Sequence, residues 1–198
     1  MKTYIITCAA SIILFASCNS HTKKIIVYAN TDAKIAQDTK TITEKETQGH
    51  VEKELQYNTG DKVVLKIQAA AGEKDIEIPE DGYYIVNAKA NDTIVGGYQK
   101  YTSAQEANKM MTQDQLKHNI DSLQQMVQGQ NISADNRTFF ILPNTAAKIS
   151  SNTDATVVGP YHQMTSIAQT GDKAPEVYRF FSIKEVRETI DKLVKLTK

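Results

Sequence analysis

Apolar and polar positions divide the chain into regions of different character. Tyr4 to Ala16 is a predominantly apolar run. Between residues 29 and 60 the only large aliphatics are Ile35, Ile42, Val51 and Leu55, set among Thr, Lys, Glu, Gln and Asp, a composition that predicts a polar tether with a frayed helix over Glu44–Leu55, so that residues 18–60 as a whole are expected to be a tether. From Gly60-Asp61 onward the pattern becomes that of a folded domain. Lys62–Gln68 and Lys74–Ile78 read as strands, the second alternating Ile76 and Ile78 with charge. Pro79-Glu80-Asp81-Gly82 reads as a turn, and Tyr83–Lys89 and Thr93–Gln99 as strands joined in a hairpin around Ala90-Asn91-Asp92. Thr138–Leu142, Ala155–Val158 and Val177–Phe181 complete the predicted strands.

Two helices are predicted. Ser103-Ala104-Gln105-Glu106 has the form of a capping box and opens a long amphipathic helix over 103–128, with Gly129 at its C-terminal end. Its apolar stripe is Ala107, Met110, Met111, Leu116, Ile120, Leu123 and Val127. Near-heptad spacing makes this stripe a candidate seat for a homodimer, although packing on the chain's own sheet is the more economical reading. A second box, Ser182-Ile183-Lys184-Glu185, opens a C-terminal helix over 182–196 whose apolar face is Ile183, Val186, Ile190, Leu193 and Val194. The fold class expected is α+β with a mostly antiparallel sheet, residues 61–198 forming the domain.

The N-terminal run changes the picture of where the chain resides. Lys2 precedes it, no acidic residue occurs before Asp32, and it is shorter than the roughly 20 residues that span a bilayer. This is the layout of a signal peptide, residues 1–17, ending in small residues. Leu14-Phe15-Ala16-Ser17-Cys18 resembles the lipobox of bacterial lipoproteins, with Phe15 where that family most often has an aliphatic residue. The resemblance implies cleavage before Cys18 and lipidation there, so that the chain would be held at a membrane through acyl groups at Cys18. Asn19-Ser20-His21 carries neither the aspartate of inner-membrane retention nor an acidic export cluster, which leaves the outer membrane, facing the periplasm, as the expected location. Cys8 lies in the segment to be removed, so neither a disulfide nor a catalytic thiol is expected.

Charge and composition narrow the function classes further. The chain of 198 residues holds 23 basic and 23 acidic side chains, and so offers no basic excess for nucleic acid. The four histidines show no metal-ligand spacing, and Gly-x-Ser-x-Gly, P-loop and Gly-x-Gly-x-x-Gly motifs do not occur. Glu73, Asp75 and Glu77 alternate along one strand, the pattern of a solvated strand face more often than of a calcium site. No catalytic residue, metal or cofactor is therefore assigned.

One internal similarity suggests a duplicated strand-turn unit. TIVGGYQKYTS at 93–103 and TVVGPYHQMTS at 156–166 agree at six of eleven positions, and Gly96 and Gly159 are placed where backbones could approach closely. Val95-Gly96-Gly97-Tyr98 followed by Ala104-Gln105-Glu106-Ala107, with Val158-Gly159-Pro160-Tyr161, resembles the SPOR domain of envelope proteins. That resemblance, over residues 83–181, implies a βαββαβ fold, binding of peptidoglycan glycan strands, and Tyr98 and Tyr161 as ligand-binding residues. Pro79-x-x-Gly82-Tyr83-x-x-Val86 is in turn similar to late strands of small β-sandwich domains of secreted proteins, which implies an adaptor. The function expected is a non-catalytic binding or scaffolding module of the cell envelope, its partner peptidoglycan or an envelope protein. Glycan-strand binding of the SPOR type and an envelope enzyme with an unmarked site are the alternatives.

Overall fold

The computed structural model describes residues 21–99, 112–133, 135–163 and 175–197. Its organising strands are β1 (Lys23–Ala29) and β7 (Gly82–Asn87), which pair in parallel with Ile26 opposite Ile85. Both carry apolar residues at successive positions, Ile25-Ile26-Val27-Tyr28 and Tyr83-Tyr84-Ile85-Val86, the pattern of a strand buried on both faces. β4 (Val51–Tyr57) flanks β1 and β10 (Thr145–Ser150) flanks β7, both antiparallel, so the sheet runs β10-β7-β1-β4.

Successive side chains of a strand point to opposite faces, and here each face meets another sheet. Ile25, Val27, Tyr84 and Val86 face a sheet of β2 (Lys34–Ala36), β3 (Thr41–Thr43), β5 (Val63–Ala69) and β6 (Gly72–Ile78), packing with Ile42, Leu65, Ile67 and Ile78. Ile26, Tyr28, Tyr83 and Ile85 face the opposite way. They pack with Ile94, Ile141, Tyr178 and Phe180, contributed by β8 (Ile94–Tyr98), β9 (Thr138–Ile141) and β12 (Val177–Ser182). That third sheet, completed by β11 (Thr156–Val158), has the order β11-β12-β8-β9. The result is three layers of sheet with β1 and β7 in the middle. Most pairings are antiparallel, but each sheet contains one parallel pair: β1–β7, β3–β5 and β11–β12.

The α+β composition expected from the sequence is present, and several of its parts differ. Residues 23–57 are not a polar tether: they supply four strands, and β1 lies at the centre of the molecule. Glu44–Leu55 holds no helix, because Leu55 is buried against the β1–β7 core while the charged neighbours of β4 face outward from an edge strand. The segment around Ala90-Asn91-Asp92 is not a hairpin turn, since it carries the chain from the middle layer to the third sheet. The long helix over 103–128 is replaced by α1 (Gln113–Val127), which starts at its own capping box. There Thr112 Oγ1 accepts from the Gln115 N–H and Gln115 Oε1 accepts from the Thr112 N–H. The Ser103–Glu106 box lies outside the described residues, as does Cys18, where lipidation is expected. Gly129 follows α1 with φ +68°, as its C-terminal place predicts.

α1 lies against α2 (Ile183–Lys195) and β8, and along its stripe Ile120 is buried while Leu116, Leu123 and Val127 are half-buried. Ser182 caps α2 as predicted, accepting from the Lys184 N–H at 3.1 Å. Glu185 is used elsewhere: its Oε2 accepts from the Tyr161 N–H at 3.1 Å, and its Oε1 lies 3.8 Å from Arg179. The two similar segments occupy unlike places. β8 and β11 flank opposite sides of β12, the first antiparallel and the second parallel to it, although the strands before them, β7 and β10, are neighbours in one sheet. Gly96 and Gly159 do permit close approach, for a Cβ would meet the Arg179 carbonyl at the first and the Glu52 carboxylate at the second.

A tether could be altered without consequence; a middle strand cannot. Ile25→Ala is expected to lower the unfolding free energy by about 2–5 kcal/mol, the range for truncating a fully buried aliphatic. Urea denaturation checks this, and an unchanged midpoint would return residues 23–29 to the role of a tether.

Candidate binding cleft

Because β1 and β7 run in parallel and β5 ends on the same side, the segments leaving them gather at one pole of the sandwich. Asn30 follows β1, Lys89–Asp92 follows β7, and Ala69–Ala71 turns from β5 into β6. Residues 44–50 approach the same pole before β4. Together with Tyr161, His162 and Lys184 they line an open cleft of about 1220 Å3.

The floor of the cleft is polar and buried. Glu44 is 7% exposed. Its Oε1 accepts from the Asn30 N–H at 2.9 Å, whereas Oε2 is buried with no hydrogen-bond partner among the described residues. Burial pushes its carboxyl up, opposed by the Asn30 N–H and by the charge of Lys89. Lys89, also buried, donates from Nζ to the Gly49 carbonyl at 2.8 Å and lies 3.8 Å from Asp92. Burial pulls its ammonium down, with Asp92 and Glu44 acting in the opposite sense and Lys184 adding to the effect. Asp92 is held in turn, its two carboxylate oxygens accepting from Ser182 Oγ at 2.9 and 2.7 Å, which fastens the start of α2 to the rim.

The wall nearest the third sheet is built on His50. Its Nε2 is 3.0 Å from Glu52 Oε1, and its Nδ1, like Thr47 Oγ1, is buried without a partner among the described residues. The ring stands between Tyr28 and Tyr161, 5.4 Å from each centroid. Glu52 also lies 3.3 Å from His162 Nδ1. Tyr161 itself adopts φ +64° and is 50% exposed at the mouth of the cleft.

Tyr98, the other residue expected to bind ligand, is not brought to this cleft. It ends β8, with its ring edge-on to Tyr178 at 5.9 Å and under the Arg137 guanidinium at 4.9 Å. The neighbouring hollow, about 510 Å3, is lined by Arg137, Phe139, Ser150, Asn152, Glu176 and Tyr178 among others. Burial would raise the Glu176 carboxyl, but donors on Tyr178 (2.7 Å), Asn152 (3.0 Å) and Ser150 (3.0 Å), with Arg137 nearby, hold it below the usual range. The Tyr178 phenol is pushed up to about 12 by burial and by Glu176. Polar groups here satisfy one another, unlike those of the cleft. Of the acidic strand face, Glu73 pairs with Lys66 at 3.1 Å and Glu77 with Lys62 at 2.7 Å.

Glu44, His50 and Lys89 carry no motif, and the sequence reading passed over them. The one available signal was Lys89-Ala90-Asn91-Asp92 directly after a strand without a polar face, a place where loops collect functional groups. No protein-family model matches the chain, and neither a curated protein nor a solved structure matches it.

An unpaired buried carboxylate costs stability, typically about 1–3 kcal/mol for a polar group. Glu44 has a folded pKa above its unfolded one, so it favours the folded state most below the ordinary carboxyl pKa and that contribution is lost as pH rises through the shifted value. Glu44→Gln is therefore expected to raise the melting temperature by a few degrees at pH 7, with most of the gain gone at pH 4. Differential scanning calorimetry at the two pH values checks this; an equal gain at both would contradict it.

Proposed function

We propose that the protein is a lipid-anchored envelope protein, its sandwich a non-catalytic binding module with the cleft turned away from the membrane. The observation that carries this reading is the position of the cleft relative to His21, the first described residue. His21 and Lys23 are fastened at the pole opposite the cleft. Lys23, fully buried, donates to the Thr59 carbonyl at 2.8 Å and to Asp81 at 3.1 Å, and His21 Nδ1 is 2.7 Å from Asp81. These contacts, hydrogen bonding first, hold the Asp81 carboxyl below its usual range. Three residue steps separate Cys18 from His21, a reach of at most about 11 Å. A lipidated Cys18 would thus set this pole on the bilayer, with no long leash. β1 then carries the chain about 20 Å to Asn30 at the cleft. None of the helices among the described residues is long and apolar enough to cross a membrane, so attachment in this reading is through the acyl groups alone.

The glycan-strand alternative draws on Tyr161, which offers a half-exposed ring at the cleft. It draws nothing from Tyr98, and the described strand order β11-β12-β8-β9, with α2 after β12, differs from a βαββαβ arrangement. The enzyme alternative draws on Glu44 and Lys89, whose proton affinities are shifted in a cleft, and on the carboxylate-oriented His50. Against it, no hydroxyl or thiol among the described residues makes a hydrogen bond with His50, whose partner is the Glu52 carboxylate.

Two measurements test the proposal. Palmitate labelling is expected for the natural chain and lost in Cys18→Ala, which should also move the protein out of the membrane fraction. With the lipidated protein in vesicles bearing nickel-chelating headgroups, a spin label at Asp61→Cys is expected to relax strongly and one at Glu46→Cys weakly. The reverse order would place the cleft against the membrane and overturn the orientation.

A further inference from the structure

We propose that the ligand of the cleft is an uncharged oligosaccharide, an inference that rests on the cleft being the binding site. Three features of the lining select this chemistry together. The first is the hydrogen-bonding character of its unpaired atoms. Glu44 Oε2 can only accept while ionised. His50 faces a carboxylate through Nε2 and must donate there, so in the neutral ring the unpaired Nδ1 is also an acceptor. Thr47 Oγ1 can act either way. Buried polar atoms are rarely left without partners, and what completes these must bring O–H or N–H donors.

The second feature is charge. Lys45, Lys89 and Lys184 line the cleft opposite Glu44, Glu46 and Asp92, and the signs cancel. A polyanion or polycation finds no net field to draw it in. A lone ammonium group would satisfy Glu44 but would stand close to Lys89. Hydroxyl groups supply the donors without that conflict.

The third feature is shape. The Tyr161 backbone is fixed by its left-handed conformation and by the bond from its N–H to Glu185, and its ring rests edge-on against His50 with centroids 5.4 Å apart, which places it at the mouth. A ring in that position offers the flat apolar face on which the C–H face of a pyranose rests, while its neighbours reach the hydroxyls. At about 1220 Å3 the opening exceeds the usual small-ligand pocket, enough for several sugar rings in a row.

The test is calorimetric titration of the full-length protein in a sugar-free detergent. The probes are chitotetraose, cellotetraose, maltotetraose and mannotetraose, with denuded peptidoglycan glycan strands and tetra-alanine as separate arms. At least one neutral tetrasaccharide is expected to bind. Tyr161→Asn, which removes the ring but tolerates positive φ, and Glu44→Gln, which replaces an acceptor by a donor, are each expected to weaken it about tenfold, with melting temperatures reporting that both variants fold. The glycan strands share their linkage with chitotetraose and carry a carboxylate on alternate sugars. Tighter binding of chitotetraose supports the uncharged class; tighter binding of the strands overturns it in favour of a peptidoglycan ligand. Tetra-alanine binding that depends on the same two residues, with no saccharide binding, keeps the cleft as the site and overturns the saccharide. Saccharide binding indifferent to both substitutions overturns the site, and binding by no probe overturns the saccharide proposal and leaves the cleft's role to the orientation measurement.

Discussion

The structure depends on one pairing, the parallel contact of β1 with β7. Each strand must bury both of its faces, since Ile25 and Val27 point one way and Ile26 and Tyr28 the other. That requirement brings a sheet to each side and makes three layers. It also decides where the loops go. Parallel neighbours finish at the same end, so the residues after β1 and β7 meet, and β4 begins beside them because Val51 pairs with Ala29. The cleft is a consequence of strand direction before it is a consequence of any side chain.

The same arrangement separates two kinds of polar chemistry. At the pole where the chain enters, Lys23 is buried but fully engaged with Thr59 and Asp81, and the Glu176 cluster is likewise closed by its own donors. At the cleft, Glu44, Thr47 and His50 keep atoms without partners among the described residues although they are buried. Folding alone gives no reason to retain such groups, which disfavour the folded state. Six such atoms occur among the described residues, and the three on Glu44, Thr47 and His50 gather in the lining of one cleft, as in a site that trades stability for recognition. The third sheet completes it: Glu185 and Ser182, both at the start of α2, fix Tyr161 and Asp92 from outside the sandwich.

Where the sequence was legible, local physics and tertiary context agreed. β5, β6 and β12 follow from alternation or β-rich runs, and α2 follows from Ser182 and its stepped apolar face. Residues 23–57 were misread because composition was averaged over a window. Ile25-Ile26-Val27-Tyr28 is a four-residue apolar run of the kind a doubly buried strand needs, but it adjoins a long polar stretch that dilutes it. β4 was read as helix because an edge strand with one buried side chain, Leu55, carries almost no periodic signal. Of the two tyrosines singled out, Tyr161 reaches the cleft and Tyr98 packs on Tyr178. Glu44 and His50 were invisible because their roles arise from strand ends meeting in space, which no spacing along the chain records.

Native-state hydrogen exchange tests the central claim most directly. If β1 and β7 form the doubly covered centre, the amides of Ile25–Tyr28 and Tyr84–Val86 are exposed only by global unfolding, and their protection should be the highest in the molecule and fall together with denaturant. Rapid exchange across Ile25–Tyr28, with β7 still protected, would show that the chain's first strand is an appendage, and the account of the layers, the cleft and its orientation would fall with it.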